Sequence, residues 1–340
     1  MFTTTRQLRR RLSLGRGVAR FVAALLLVLA FWTLGPQTAK AEQGRLDGWT
    51  LASASEELVV GRAVIRYEPG TAEQAFELAK LLPGWWSEIE QTLGRDLDDS
   101  MTIHVVSHAG RVAQATGMPR WVSGVAHPPR GEIAISLHDP DGSPSELSTL
   151  LRHELVHVAL FRATAGAELP RWFHEGVADS VANEVSLMRA ETLAGAIFGS
   201  GVPSLPALEA SFHGDARQAS IAYAAARDFA TWLRFHDAEG GEFRQLLSQL
   251  RKGRGFEQSV KDAYGSPLAA LDESWREGLS TRFLWYPLLG SEGLPVLLLG
   301  PLVALAWFRR RQRLAADWAR LEAEDALERT ARLGLAPLAS

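Results

Sequence analysis

Along this 340-residue chain the spacing of apolar residues changes character several times. Glu57–Tyr67 (ELVVGRAVIRY) is rich in β-branched residues and reads as strand, closed by a Pro69-Gly70 turn. Apolar residues then return at helical spacing, at Phe76, Leu78, Leu82 and Trp86, predicting a helix capped at Thr71 and ending near Leu93. Three short β-rich runs follow: Met101–Val106, Val122–Ala126 and Glu132–Leu137. The last two are joined by a Pro128-Pro129-Arg130-Gly131 turn. From Ser145 to Ser280 the pattern is helical almost throughout. Strands first and helices afterwards predict an α+β domain.

Two uncharged apolar runs flank this region. Phe21–Leu34 contains 14 residues without a charge, follows six arginines between Arg6 and Arg20, and precedes Ala39-Lys40-Ala41. A basic start, a short apolar core and an A-x-A site predict a secretory signal peptide over residues 1–41, with an uncleaved N-terminal anchor as the alternative. Leu284–Phe308 carries Glu292 as its single charge, has Trp285, Tyr286 and Trp307 near its ends, and runs into Arg309, Arg310, Arg311 and Arg313. Its length and flanks predict a transmembrane helix over 284–308 with a cytoplasmic tail over 309–340. On that reading residues 42–283 lie on the outer side of a bacterial inner membrane, periplasmic or extracellular.

Composition narrows the chemistry. The formal net charge of −3 argues against a dedicated nucleic-acid binder, whose surface is strongly basic. No cysteine is present, which removes disulfide scaffolds, thiol nucleophiles and thiolate metal sites. Any transition-metal site must use His, Asp or Glu.

Such a set stands within Ser145–Ala163, where Leu147, Leu150, Leu151, Val158 and Phe161 mark an amphipathic helix. It contains His153-Glu154-Leu155-Val156-His157. Residues i and i+4 share one helix face, so both imidazoles can reach one metal ion, with Glu154 beside them as a general base. Polar groups set in an apolar helix are costly unless they find partners. Eighteen positions after His157 comes Glu175, within Pro170-Arg171-Trp172-Phe173-His174-Glu175-Gly176-Val177-Ala178-Asp179. That spacing lets a second helix return antiparallel and add its carboxylate, making a two-His, one-Glu site of the kind zinc takes. Asp179, at i+4 from Glu175, is placed to accept a ring N–H from His153 or His157. His174 adjoins Glu175, and neighbouring helical side chains diverge, so it is not expected to be a fourth ligand.

HELVH followed by PRWFHEGVAD resembles the gluzincin metalloproteases, and most closely the peptidase MA-like group, over about residues 58–280. The resemblance implies Zn2+ held by His153, His157 and Glu175, with Glu154 as the general base. It also implies a small N-terminal sheet, a helical C-terminal part and peptide or protein substrates. Tyr223, in Ile221-Ala222-Tyr223-Ala224-Ala225-Ala226, looks similar to the tyrosine that steadies the oxyanion in the aminopeptidase branch, where it opens a small-residue helix; a plain core aromatic is the competing reading. The G-x-M-E-N motif of exopeptidases is absent, which favours an endopeptidase. The strand Glu132–Leu137 resembles the edge strand on which such proteases lay an extended peptide. A non-catalytic metalloprotease-like scaffold is the rival reading, and an intact Glu154 weighs against it. An intramembrane protease is disfavoured because Arg152 and the polar flanks of 145–157 do not suit a bilayer.

Overall fold

A computed structural model describes residues 56–95, 100–118, 120, 122–182, 187–284 and 299–315. The predicted signal peptide, residues 1–41, and most of the C-terminal tail lie outside the described residues. The chain divides into two units, Met1–Ser280 and Thr281–Ser340.

The first unit is α+β, as the pattern predicts. What reads as one strand near Glu57 is a hairpin: β1 (Glu56–Val60) turns at Gly61-Arg62 and pairs antiparallel with β2 (Ala63–Tyr67). In β2 the alternation is plain, with Ala63, Ile65 and Tyr67 buried. Helix α1 (Ala72–Leu93) begins after Thr71, whose hydroxyl bonds to Glu68 and Val105 carbonyls rather than capping the helix. Phe76, counted in its apolar stripe, is exposed. Next come β3 (Met101–Val106), α2 (Ala109–Thr116), β4 (Gly124–His127) and β5 (Glu132–Ser136).

The sheet order is β1-β2-β3-β5-β4, with β2, β3 and β5 parallel and β4 antiparallel to β5. This corrects one expectation. The strand beginning at Glu132 is interior, paired on both sides, and the edge strands are β1 and β4. Its sequence says why: Ile133, Ala134, Ile135 and Ser136 are all buried, a run without alternation that suits a strand covered on both faces. On one face Val106, Val112, Met118, Val122, Val125 and Ala134 form a cluster beneath α2. On the other lies α3 (Leu147–Ala163), packed against β4, β5 and α1. Gly124 permits that approach, since a Cβ there would stand 2.6 Å from a Leu150 methyl.

The remainder of the unit is helical: α4 (Arg171–Val181), α5 (Leu187–Phe198), α6 (Leu205–Ser211), α7 (Ala216–Arg234), α8 (Gly241–Arg251), α9 (Phe256–Tyr264) and α10 (Leu268–Arg282). Helix α7 is the hub, with α4, α5 and α6 packed on it. Trp172, Phe173, Phe229, Phe243, Phe256 and Trp275 interlock around it with ring centroids 5.0–6.2 Å apart. The Trp275 ring is pinned by an Nε1–H bond to Asp228 at 2.8 Å.

In the second unit residues 299–315 are helical. The expected transmembrane helix over 284–308 is overturned: no helix among the described residues is long and apolar enough to cross a membrane. The described part of this helix, residues 299–315, carries Arg309, Arg310, Arg311 and Arg313 in its second half; residues 285–298 lie outside the described set.

Candidate metal centre

The site is built where α3 and α4 face each other. Helix α4 has no side-chain cap of its own, since Pro170 occupies the N-cap. Instead Glu209 of α6 accepts the Arg171 and Trp172 backbone N–H groups, at 3.0 and 3.2 Å. A carboxylate at a helix N-terminus both satisfies free N–H groups and suits the dipole. At the far end, Arg234 of α7 donates to the Ser180 carbonyl and hydroxyl at 2.7 and 2.6 Å. Between these two clamps Gly176 lets α4 press onto α7. A Cβ at Gly176 would meet the Ala226 carbonyl oxygen at 2.3 Å and Ala230 Cβ at 3.0 Å.

This packing turns Glu175 and Asp179 inward, toward α3. His153 Nε2 and His157 Nε2 lie 2.9 Å apart, and Glu175 Oε2 lies 3.7 and 3.9 Å from them. Among the described residues these three form the one His and carboxylate group able to hold a metal ion. Tetrahedral bonds of about 2.0–2.1 Å place ligand atoms roughly 3.3 Å apart, and the three separations bracket that value. Glu175 Oε2 is buried without a hydrogen-bond partner. A buried carboxylate oxygen facing two imidazole nitrogens is costly unless a cation joins them. The residues present therefore fit zinc.

Asp179 Oδ1 stands 2.9 Å from His153 Nδ1, while the ring's Nε2 faces His157 and Glu175. Its other oxygen pairs with Arg189 of α5. Arg189 was not legible in the sequence, because nothing in a ten-residue separation links it to Asp179. His174 does not join the cluster; its ring stacks flat on His157, 4.3 Å away and 9° from parallel.

Glu154 is buried beside the ligands, and Ala126 of β4 hydrogen-bonds it from the backbone. Burial pushes its carboxyl up to about 7; His153 opposes the rise and Glu175 adds to it. Burial also acts against ionised Glu175, but the His153 hydrogen bond and the neighbouring imidazoles hold it well below the usual carboxylate range. His157 is held well below an ordinary histidine, first by burial and then by His174 and His153.

Tyr223 lies within α7 rather than opening a helix. Asp215 and Gln218 form a reciprocal capping box, 2.8 and 3.1 Å, that starts α7 at Ala216. The Tyr223 ring is buried edge-on to Phe212, with the Arg189 guanidinium 5.9 Å from its centroid. Burial raises its hydroxyl well above the ordinary tyrosine value; Glu175 adds to this and Arg171 opposes it. The phenol stays protonated.

An HExxH helix on a mixed sheet, completed by a carboxylate from the following helix, defines a metallopeptidase-type domain. The chain belongs to the peptidase MA superfamily, whose sequence profile matches residues 87–281. That span contains α3, α4 and α7, and so every residue of the centre. No curated protein matches the sequence.

Proposed function

We propose that the chain is a zinc-dependent endopeptidase that hydrolyses peptide bonds of exported proteins. The observation that carries this is the convergence of His153, His157 and Glu175 with Glu154 beside them. In this reading the three residues hold Zn2+, which supplies a Lewis acid for a water and for the scissile carbonyl when bound. Glu154 Oε1, buried and without a hydrogen-bond partner, takes the proton of the attacking water and returns it to the leaving amine. The Ala126 hydrogen bond keeps that carboxylate oriented. Tyr223, protonated and electrostatically coupled to Glu175, donates toward the developing oxyanion. Asp179 and Arg189 hold His153 in one tautomer.

Support for an extended peptide substrate comes from β4. It is one of the sheet's two edge strands and its Ala126 hydrogen-bonds Glu154, so a chain adding to it through backbone hydrogen bonds would lie beside the general base. Exported substrates follow from the export signal read in residues 1–41. The test compares wild type with Glu154→Gln for metal content and for cleavage of an unstructured quenched-fluorescence peptide. The variant is expected to keep about one metal per chain and to lose at least a hundredfold in rate. Undiminished cleavage by Glu154→Gln would refute the mechanism, and an inert, metal-loaded wild type would favour a scaffold.

A further inference from the structure

A second cavity, about 510 Å3 in volume, lies between α1, α3, the end of α4, α7 and the start of α8. None of the metal-centre residues lines it. Arg152 does, and Arg152 and Glu154 stand two positions apart on α3, about 200° around the helix, so the cavity and the Glu154 face are separate. Ser180, one residue beyond Asp179, lines it as well.

Its lining is cationic: Arg152, Arg227, Arg234 and Arg244 stand against Glu88 and Glu239. Glu88 is already engaged by Arg152. The Arg234 guanidinium is lowered to about 10, first by burial and then by repulsion from Arg227. Arginines gathered in a concave, half-enclosed space focus a positive potential that attracts anions. Arg234 is fixed in place by its two bonds to Ser180, so its guanidinium is held ready.

We propose that this cavity binds the phosphate group of a small organic phosphate, at a site distinct from the metal centre. Guanidinium forks match phosphate oxygens in geometry and charge. The volume exceeds a bare ion and suits a metabolite-sized ligand. Phe235 and Phe243 in the lining offer apolar surface to its organic part. Because no metal-centre residue is used, the site stands or falls independently of peptidase activity.

The test is thermal melting and calorimetric titration of the full chain with inorganic phosphate and with phenyl phosphate, against sodium chloride at matched ionic strength. Saturable binding is expected, with a Tm rise of roughly 5–10 °C at one hundred times Kd. Tighter phenyl phosphate binding identifies an ester as the ligand, and tighter inorganic phosphate identifies the free ion. Arg227→Gln and Arg244→Gln should each weaken Kd at least tenfold. Arg244→Gln retains most of the stem that packs beside Gly94, so it keeps the fold while deleting the charge. Binding should persist in Glu154→Gln and after chelation of metal. A Tm rise no larger than with chloride, or an affinity unchanged in both arginine variants, would overturn the proposal.

Discussion

Replacing Gly176 by alanine adds one methyl group at the closest approach of two helices. That methyl would lie 2.3 Å from the Ala226 carbonyl oxygen and 2.7 Å from its carbon. This is about 1 Å inside van der Waals contact, and the obstacle is backbone, which cannot rotate away as a side chain can. Alanine is worth up to about 1 kcal/mol over glycine in a helix, while overpacking costs about 1–3 kcal/mol. A required shift near 1 Å puts the strain at the upper end, for a net loss of about 2 kcal/mol and a Tm lower by about 4–8 °C. Gly195, exposed on α5, meets nothing within 4 Å, so Gly195→Ala supplies the matched control and should be stabilised by about 0.5–1 kcal/mol. The assay is urea unfolding of wild type and both variants, followed by metal retention against a chelator. Because Glu175 precedes Gly176, metal should leave Gly176→Ala faster. A Gly176→Ala protein as stable as Gly195→Ala would refute the close-approach reasoning.

Asp179→Asn should weaken metal affinity by about 10–100-fold, measured by chelator competition, and should also lower the melting temperature of the metal-free protein, because it leaves the buried Arg189 guanidinium without its counter-charge. Glu209→Gln removes the charge that caps α4 and should cost about 1 kcal/mol in urea unfolding. His104, buried in β3, is pushed down to about 4 by burial and then by Arg66. Its neutral form is native, so on acidification the unfolded chain takes up the proton first. Stability therefore falls as pH drops from about 6.5 to about 4, by about 3 kcal/mol if this group acts alone. His104→Gln should flatten that slope, and equal slopes in the two proteins would exclude His104 as its source.

The centre was readable from sequence because helical spacing is rigid: positions i and i+4 must share a face. That placed His153 with His157, and Glu175 with Asp179, before any tertiary contact was known. What was not readable depends on the third dimension. Arg189 reaches Asp179 through the packing of α5 on α7, and Glu209 caps α4 across a gap of about forty residues. The start of α7 did have a local signal, Asp215 followed by Gln218, which moves the helix start seven residues ahead of Tyr223. Glu132–Ser136 was misplaced at the edge because position in a sheet depends on which strands pair. Strand composition gives only the burial of its faces. The span over 284–308 was overturned because the helix described over residues 299–315 mixes its apolar residues with four arginines and is not long and apolar enough to cross a membrane.

Strand β4 is only four residues long and ends at Pro128-Pro129, so the edge it offers extends about 13 Å. A peptidase fed along such an edge discriminates by backbone state more than by side chain. Segments inside a native protein have their hydrogen bonds already committed, while a segment of a few residues released by local opening does not. For the proposed peptidase the client's own opening equilibrium would set the turnover rate, making it a sensor of marginal stability rather than a reader of sequence.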